Sequence, residues 1–359
     1  MNAAPRSLLV DALRGPTRVS GNAAHWEALI RYAREADLLG TLAYRIEASG
    51  DLLAIPPGPR AHLIAVGHHY RAQQAAARRE LGEIARALQP VSAPVVLLKG
   101  AAYLLADLPP AHGRLFSDID ILVPKTRLPE VESALMLAGF ASTHLDPYDQ
   151  RYYRRWMHEL PPMQHVKRLT LIDVHHTIVP ETADIALDAS ELFRTAVPIT
   201  DMHRFFMLSK VDMVVHSATH LFHNEVLSHG LRDLVDIDAL LDHFGRNERA
   251  FWPALVERAR ELDLQRPLYY ALRSASSMLG TRVPNDVMAS IARDGPVAPI
   301  RFLMDRLFAA ALEPASARPA TRWARRALYV RGHWLKMPVP LLAWHLTIKA
   351  LRREEAPPV

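Results

Sequence analysis

The chain of 359 residues contains no cysteine. Disulfide bonds and thiolate metal sites are therefore excluded, and a reducing cytoplasmic location is expected. The sequence has no run of about 18 uninterrupted apolar residues, so no transmembrane helix is predicted. The first stretch, "MNAAPRSLLVDALRG", also lacks a long apolar segment. We therefore expect no signal peptide.

The overall composition is that of a globular protein with two or three packed units. Half of the residues are hydrophobic and 23% are charged. The net charge of +5 and the pI of about 9.5 permit a polyanionic partner but do not specify one. Part of this charge lies near the C-terminus, at Arg318, Arg322, Arg325, Arg326, Arg331 and Lys336. Such a stretch more often forms a solvated face than a specific nucleic-acid site.

Both ends of the chain have the apolar spacing of α-helices. In "HHYRAQQAAARRELGEIARALQP" one apolar face recurs at helical spacing, at Tyr70, Ala77, Leu81, Ile84 and Leu88. Pro90 ends this helix, and an earlier helical pattern is interrupted at Gly40. Residues 187–359 are predicted to be helical again, with prolines between the elements. We interpret residues 1–90 as a packing unit.

The segment between these ends alternates strands with helices. "PVVLL", "DIDILV" and "RLTLIDVHHTI" are predicted strands. A helix is predicted after the second strand, with Thr126 as its N-cap and Gly139 at its end. Its apolar stripe consists of Leu128, Val131 and Leu135. The stretch "HLDPYDQRYYRRWMHELPPMQ" fits either a loop or a strand pair.

These patterns predict an α+β protein with three parts. An N-terminal helical segment covers residues 1–90, and a small mixed-sheet core covers residues 91–186. A C-terminal helical domain with a basic tail covers residues 187–359. The chemistry is expected in the core, because charged residues interrupt its apolar strands there.

Three aspartates are the main candidates for that chemistry. Asp118 and Asp120 are two residues apart on a predicted strand, so their side chains leave the same face of the sheet. Two carboxylates this close repel each other unless a cation lies between them, and a hard cation such as Mg²⁺ prefers oxygen ligands. Asp173 has the parity to share this face if its strand is the neighbour. Three carboxylates can hold two divalent ions, the arrangement used in phosphoryl transfer.

Lys99 and Gly100 form a predicted turn between the first strand and a short helix. Glycine allows close approach of the backbone, and a helix that begins near Ala101 offers free N–H groups to an anion. We therefore expect a phosphate site at this turn.

The stretches "LLKGAAYLL", "RLFSDIDILVPKTRLPEVESALMLAGF" and "LTLIDVHHTI" resemble the uncharacterised nucleotidyltransferase family of the DNA polymerase β-like superfamily. The later "VVHSATHLFHN" and "LRDLVDIDALL" are similar to the helical C-terminal half of that family. The resemblance implies a minimal mixed sheet, with Asp118 and Asp120 as paired metal ligands and Asp173 as the third carboxylate. It also places Gly100 at the nucleotide-gripping turn.

Arg114 matches an arginine often seen before the paired carboxylates of that family. It would contact the triphosphate or orient an aspartate, since a guanidinium binds both groups bidentately. The alternative is an arginine in a surface loop.

A second constellation lies in the C-terminal half. His216, His220 and His223 fall on one face of a predicted helix and could bind zinc, which would suit a hydrolase. We favour their interpretation as core or pocket-lining residues. His220 is then expected to line the nucleotide or acceptor cleft, with Arg232 and Asp233 contributed by the next helix.

The last apolar segment, "WLKMPVPLLAWHLTIKALRR", is flanked by basic residues. It would suit a peripheral membrane contact. Prolines interrupt it, however, so packing against the helical domain is the favoured interpretation.

The predicted activity is metal-dependent transfer of a nucleoside monophosphate from an NTP to an acceptor hydroxyl, with release of pyrophosphate. Two Mg²⁺ ions, or Mn²⁺ in their place, would be held by Asp118, Asp120 and Asp173, and Lys99 or Arg114 would assist electrostatically. The acceptor could be a protein, an RNA end, a sugar or another small molecule. The alternative is a catalytically inactive nucleotide-binding sensor or scaffold, which Ala101 favours because it follows Gly100 where the superfamily has a serine.

Overall fold

A central mixed sheet of seven strands organises the protein. The computed structural model describes residues 5–15, 22–144, 146–224, 226–246, 248–314, 319–337 and 340. The strands are β1 (Val95–Leu97), β2 (Asp118–Leu122), β3 (Phe140–Ser142), β4 (Met163–His165), β5 (Leu171–His175), β6 (Val197–Pro198) and β7 (Phe205–Met207). The protein has the predicted α+β class, with helices at both ends of the sheet region.

The strand order is β3-β4-β5-β2-β1-β7-β6. β2 pairs in parallel with β5, and β1 pairs in parallel with β7. The remaining neighbours are antiparallel. All three residues of β1 are buried, which explains its uninterrupted apolar sequence. β2 and β5 thus lie at the centre of the sheet, side by side.

Among the described residues, four α-helices precede the sheet: α1 (Pro5–Arg14), α2 (Ala23–Glu35), α3 (Leu39–Ser49) and α4 (Pro57–Ala87). The predicted apolar face of α4 is present, since Tyr70, Leu81 and Ile84 are buried. The predicted break at Gly40 is wrong, because Gly40 lies inside α3 and the chain turns just before it, at Asp37, whose φ is 57°. Gly40 instead permits close packing, since a Cβ there would lie 2.1 Å from the carbonyl oxygen of Gly113.

The sheet region contains three helices: α5 (Lys99–Leu105), α6 (Leu128–Leu137) and α7 (Pro147–Trp156). The predicted N-cap of α6 is wrong, because Thr126 lies within a 3₁₀ turn (Lys125–Arg127) that leads into this helix. Gly139 follows α6 with a φ of 97°, as expected for a residue that ends a helix. The stretch "HLDPYDQRYYRRWMHELPPMQ", for which a loop or a strand pair is predicted, contains α7 and the first two residues of β4.

In the part of the chain that the structure describes, eight α-helices follow the core: α8 (Ser190–Arg194), α9 (Lys210–His223), α10 (Gly230–Gly245), α11 (Phe251–Glu261), α12 (Gln265–Ser274), α13 (Asn285–Ala292), α14 (Ala298–Ala311) and α15 (Pro319–Lys336). The strands β6 and β7 lie between α8 and α9, in a stretch predicted to be helical. The division of the chain at residue 186 stays a prediction, and the sheet takes both of these strands from beyond it. Within the ranges given above, no helix has the length and apolarity needed to span a bilayer.

Part of the basic C-terminal stretch is packed rather than solvated. Arg325 donates hydrogen bonds to the carbonyl oxygens of Ala311 and Glu313, and Arg331 donates one to that of Phe222. These contacts hold α15 against the rest of the helical half. Arg318 lies outside the described residues, and so does most of the segment considered for a membrane contact.

Candidate functional site

A cavity of about 390 Å³ lies where β2 and β5 meet α5, α9 and α10. Among its lining residues are all eight candidates named from the sequence: Lys99, Gly100, Arg114, Asp118, Asp120, Asp173, His220 and Arg232. These residues come from separate parts of the chain, so the fold itself brings them together.

The three aspartates line this cavity from two adjacent strands. In the parallel pairing of β2 with β5, Asp120 lies directly opposite Asp173. Neighbouring strands are about 4.8 Å apart, so the two side chains leave the sheet next to each other. Asp118 is two residues before Asp120 on the same strand and also reaches the cavity. The arrangement is the one that strand alternation leads us to expect.

Asp120 is buried and accepts hydrogen bonds from two side chains. Its Oδ1 accepts a hydrogen bond from Lys99 Nζ at 3.3 Å and another from His175 Nε2 at 3.1 Å. Burial alone would raise the pKa of Asp120, but the charge of Lys99 and the hydrogen bond from His175 outweigh it, so the pKa lies well below its ordinary value. Asp120 is therefore a carboxylate at neutral pH.

Neighbouring carboxylates raise the pKa values of Lys99 and His175 above their ordinary values. Burial disfavours the charge of Lys99, but the surrounding carboxylates, Asp120 foremost, raise its pKa. Burial also disfavours a charged His175, yet the charge of Glu159 and the hydrogen bond to Asp120 raise the pKa of this histidine. At the base of the cavity, Lys99, Asp120 and His175 thus form a hydrogen-bonded network shielded from solvent.

The surroundings of Asp173 raise its pKa, whereas those of Asp120 lower the pKa of that residue. Burial, followed by the negative charges of Asp120 and Glu159, raises the pKa of Asp173 to about 7. A carboxylate whose charge is opposed by neighbouring carboxylates is well suited to bind a cation. The donor chemistry of the three aspartates therefore fits a hard divalent ion.

The Lys99-Gly100 turn has a specific backbone geometry. Lys99 is the first residue of α5, two positions before the start expected at Ala101, and its φ is 43°. A Cβ on Gly100 would lie 3.1 Å from Arg114 Nε and 3.1 Å from the ring of Phe116. The glycine therefore makes room for side chains of the protein that lie against the turn.

Arg114 is buried, with 8% of its surface exposed, so the interpretation as a surface-loop arginine is wrong. It forms an ion pair with Asp236 of α10. Its Nε is buried and has no hydrogen-bond partner among the described residues. Arg232 lies nearby on α10 and donates two hydrogen bonds to Asp233, at 3.1 and 2.9 Å. Two guanidinium groups thus face the cavity.

The three histidines of α9 do not converge on a common point. His220 lines the cavity, and its Nδ1 lies 3.9 Å from Asp233 Oδ2. His216 is buried in the core, and His223 lines a different cavity. Among the residues that the structure describes, these histidines form no metal-binding group. The zinc site considered for His216, His220 and His223 is therefore not formed in the described part of the chain.

Sequence reasoning missed three residues that line the cavity. His158 and Glu159 follow α7, and Lys336 is the last residue of α15. His175 lies two residues after Asp173 on β5, on the same face of the sheet, and its sequence position alone indicates no role. No periodic pattern marks His158 or Glu159, because they lie in an irregular segment. Lys336 is distant in sequence, so only the packing of α15 brings it to this wall.

A family model described as "Uncharacterised nucleotidyltransferase" matches residues 22–280 of the chain. The match covers well over half of the sequence, so the protein belongs to this nucleotidyltransferase family. Family membership supports nucleotidyl transfer as its general activity. No match is found among curated proteins.

Proposed function

We propose that the protein transfers a nucleoside monophosphate from an NTP to an acceptor hydroxyl and releases pyrophosphate, in a reaction that depends on Mg²⁺. The observation that carries this proposal is the parallel pairing of β2 with β5, which sets Asp120 opposite Asp173 in a cavity lined by basic side chains. Nucleotidyl transfer needs this combination of carboxylates and cations, because both the metal ions and the triphosphate must be bound.

Asp118, Asp120 and Asp173 would hold two Mg²⁺ ions, or Mn²⁺ in their place. When bound, such ions neutralise triphosphate charge and lower the pKa of an attacking hydroxyl.

The basic residues of the cavity would bind the triphosphate. Lys99, Arg114 and Arg232 reach it from α5, the loop before β2, and α10, and Lys336 adds a fourth cation from α15. The Arg114 Nε, buried without a partner among the described residues, has a hydrogen bond to offer a phosphate oxygen. His220 lines the same cavity and would contact the nucleotide or the acceptor.

Asp173 is proposed to hold the catalytic ion, which would activate the acceptor hydroxyl. In the metal-free protein its pKa is raised to about 7 by burial and by the charges of Asp120 and Glu159, and a bound divalent ion would offset that repulsion. Asp120 is already ionised at neutral pH, because its pKa lies well below the ordinary value.

The test is release of pyrophosphate and transfer of label in the presence of Mg²⁺. The full-length protein is incubated with cell lysate and α-labelled ATP, GTP, CTP and UTP in turn, and the labelled acceptor is identified. The double variant Asp118→Asn/Asp120→Asn should lose transfer, whereas the exposed-site control Asp201→Asn should keep it. Transfer at the wild-type rate by a folded double variant would contradict the proposal.

The second candidate is a nucleotide-binding protein without turnover. Two observations favour it: Asp120 Oδ1 is already occupied by Lys99 and His175, and Ala101 offers no hydroxyl to a phosphate. Calorimetry with ATP and Mg²⁺ beside the labelling assay separates the two candidates. Binding with no labelled product across acceptor classes would favour the sensor. The cytoplasmic location expected from the absence of cysteine stays a prediction.

A further inference from the structure

A compact group of donor atoms lies beside the aspartates. His158, Glu159 and His175 each offer one ligand atom, and these atoms all lie within 4.8 Å of one another. Within the described residues this is the group that meets that distance, whereas the three aspartates do not. The closest set of potential metal ligands in the cavity is therefore a mixed one, with two imidazoles and one carboxylate.

The backbone fixes the positions of these residues. Glu159 and His175 form an antiparallel β-bridge. The N–H of Leu160 donates to the carbonyl of Val174 at 2.9 Å, and the N–H of His176 donates to the carbonyl of His158 at 2.9 Å. The irregular segment after α7 is thus attached to the edge of β5, so the donors are set before any ligand arrives.

The imidazole of His158 is poorly satisfied for a residue that is 8% exposed. Its Nδ1 is buried and has no hydrogen-bond partner among the described residues. Its Nε2 lies 4.0 Å from Glu159 Oε2, which is too far for a hydrogen bond. Buried polar atoms normally have a hydrogen-bond partner. The Nδ1 atom of His158 has none among the described residues.

The imidazole of His175 is already oriented. Its Nε2 is bonded to Asp120, and its Nδ1 lies 3.3 Å from Glu159 Oε2. A histidine that ligates a metal through one nitrogen commonly donates the other N–H to a carboxylate, which fixes the ring and increases its basicity. In this protein, Asp120 is the carboxylate that accepts the hydrogen bond from His175 Nε2.

We propose that His158, Glu159 and His175 form a second metal site, which takes a borderline divalent transition ion such as Zn²⁺. Two imidazole nitrogens and one carboxylate oxygen suit such an ion, whereas Mg²⁺ prefers oxygen ligands alone. All three residues line the cavity, so a bound ion would be accessible from it. The site is separate in its chemistry from the all-carboxylate site of the proposed function and does not depend on that function.

The test uses Co²⁺ as a spectroscopic substitute for Zn²⁺. Tag-free, metal-free full-length protein is titrated with Co²⁺ in excess Mg²⁺, and the visible absorption of four- or five-coordinate Co²⁺ is followed. One equivalent should bind. His158→Ala and Glu159→Gln should each weaken binding at least tenfold, while Asp118→Asn and the exposed control His243→Ala should bind as the wild type does.

Two results would overturn the proposal. The first is loss of the Co²⁺ band in Asp118→Asn but not in His158→Ala, which would place the ion on the aspartates. The second is an absence of imidazole shifts in the ¹H–¹⁵N spectrum of the wild-type protein on addition of Zn²⁺, which would mean that His175 only bridges Asp120 and Glu159. This second measurement needs no variant, so a misfolded variant leaves the proposal testable. Neither result bears on pyrophosphate release in Mg²⁺, so failure of the metal site and failure of the proposed function are distinguishable.

Discussion

Replacing Asp173 with asparagine should stabilise the metal-free protein at neutral and alkaline pH. The carboxylate of Asp173 is opposed by burial and by the charges of Asp120 and Glu159, which raise its pKa from 3.8 to about 7. The folded protein therefore holds this proton more tightly than the unfolded chain does. As pH rises from about 4 to about 7, the unfolded chain releases the proton first, so stability falls over this window and is level above it.

The size of the effect follows from the same pKa values. A tenfold change in acid constant corresponds to about 1.4 kcal/mol, so the change from 3.8 to about 7 corresponds to about 4 kcal/mol at most. Asp173 faces the water of the cavity, which screens part of the repulsion. We therefore expect Asp173→Asn to raise the free energy of unfolding by about 2 kcal/mol at pH 8 and by almost nothing at pH 4.

Urea denaturation in EDTA at pH 4, 6 and 8 measures this difference. The exposed Asp201→Asn is the matched control and should leave the free energy of unfolding unchanged at each pH. Saturating Mg²⁺ should reduce the advantage of Asp173→Asn, because the ion relieves the repulsion only where the carboxylate is present. A variant less stable than the wild type at pH 8, or equally stabilised at pH 4 and pH 8, would refute the reasoning.

Two further predictions concern packing and binding. Gly40→Ala should lower the free energy of unfolding by about 3 kcal/mol in thermal or urea melts, because its Cβ would lie 2.1 Å from the carbonyl oxygen of Gly113. The control Gly82→Ala in α4, where the Cβ would meet only the Met202 Cε at 3.8 Å, should have no such cost and should gain slightly as a helix residue. Lys336→Met should raise KM for the NTP about tenfold with a smaller change in kcat, since it removes a buried cation from the cavity wall. Exposed Lys167→Met is its kinetic control, and equal KM values for the two variants would exclude a binding role for Lys336.

Alternation along strands was enough to predict the arrangement of the aspartates. The side-chain period of a strand is two, so Asp118 and Asp120 had to share a face, and Asp173 had the parity to join them once β5 paired with β2 in parallel. Local patterns of this kind involve few residues and do not depend on the rest of the fold. The apolar face of α4 was predictable for the same reason.

Features that depend on contacts between distant segments could not be predicted in this way. The glycine at position 40 looks like a helix break in sequence, but its role is set by Gly113, which lies against it. β7 is too short and too far along the chain to be recognised, yet it pairs with β1. Lys336 and the His158–Glu159 pair have no pattern of their own and reach the cavity through packing alone.

Asp120 and Asp173, which the pairing of β2 with β5 sets side by side, have different pKa values. Asp120 and Asp173 lie opposite each other, but Asp120 is bonded to Lys99 and His175, whereas Asp173 faces the charges of Asp120 and Glu159. The pKa of one carboxyl group therefore falls while that of the other rises to about 7. In the metal-free protein, Asp120 is therefore an anion at neutral pH, whereas Asp173 exchanges its proton near pH 7. Removing His175 should raise the pKa of both carboxyl groups, because its hydrogen bond and charge lower the pKa of Asp120 and its charge also lowers that of Asp173.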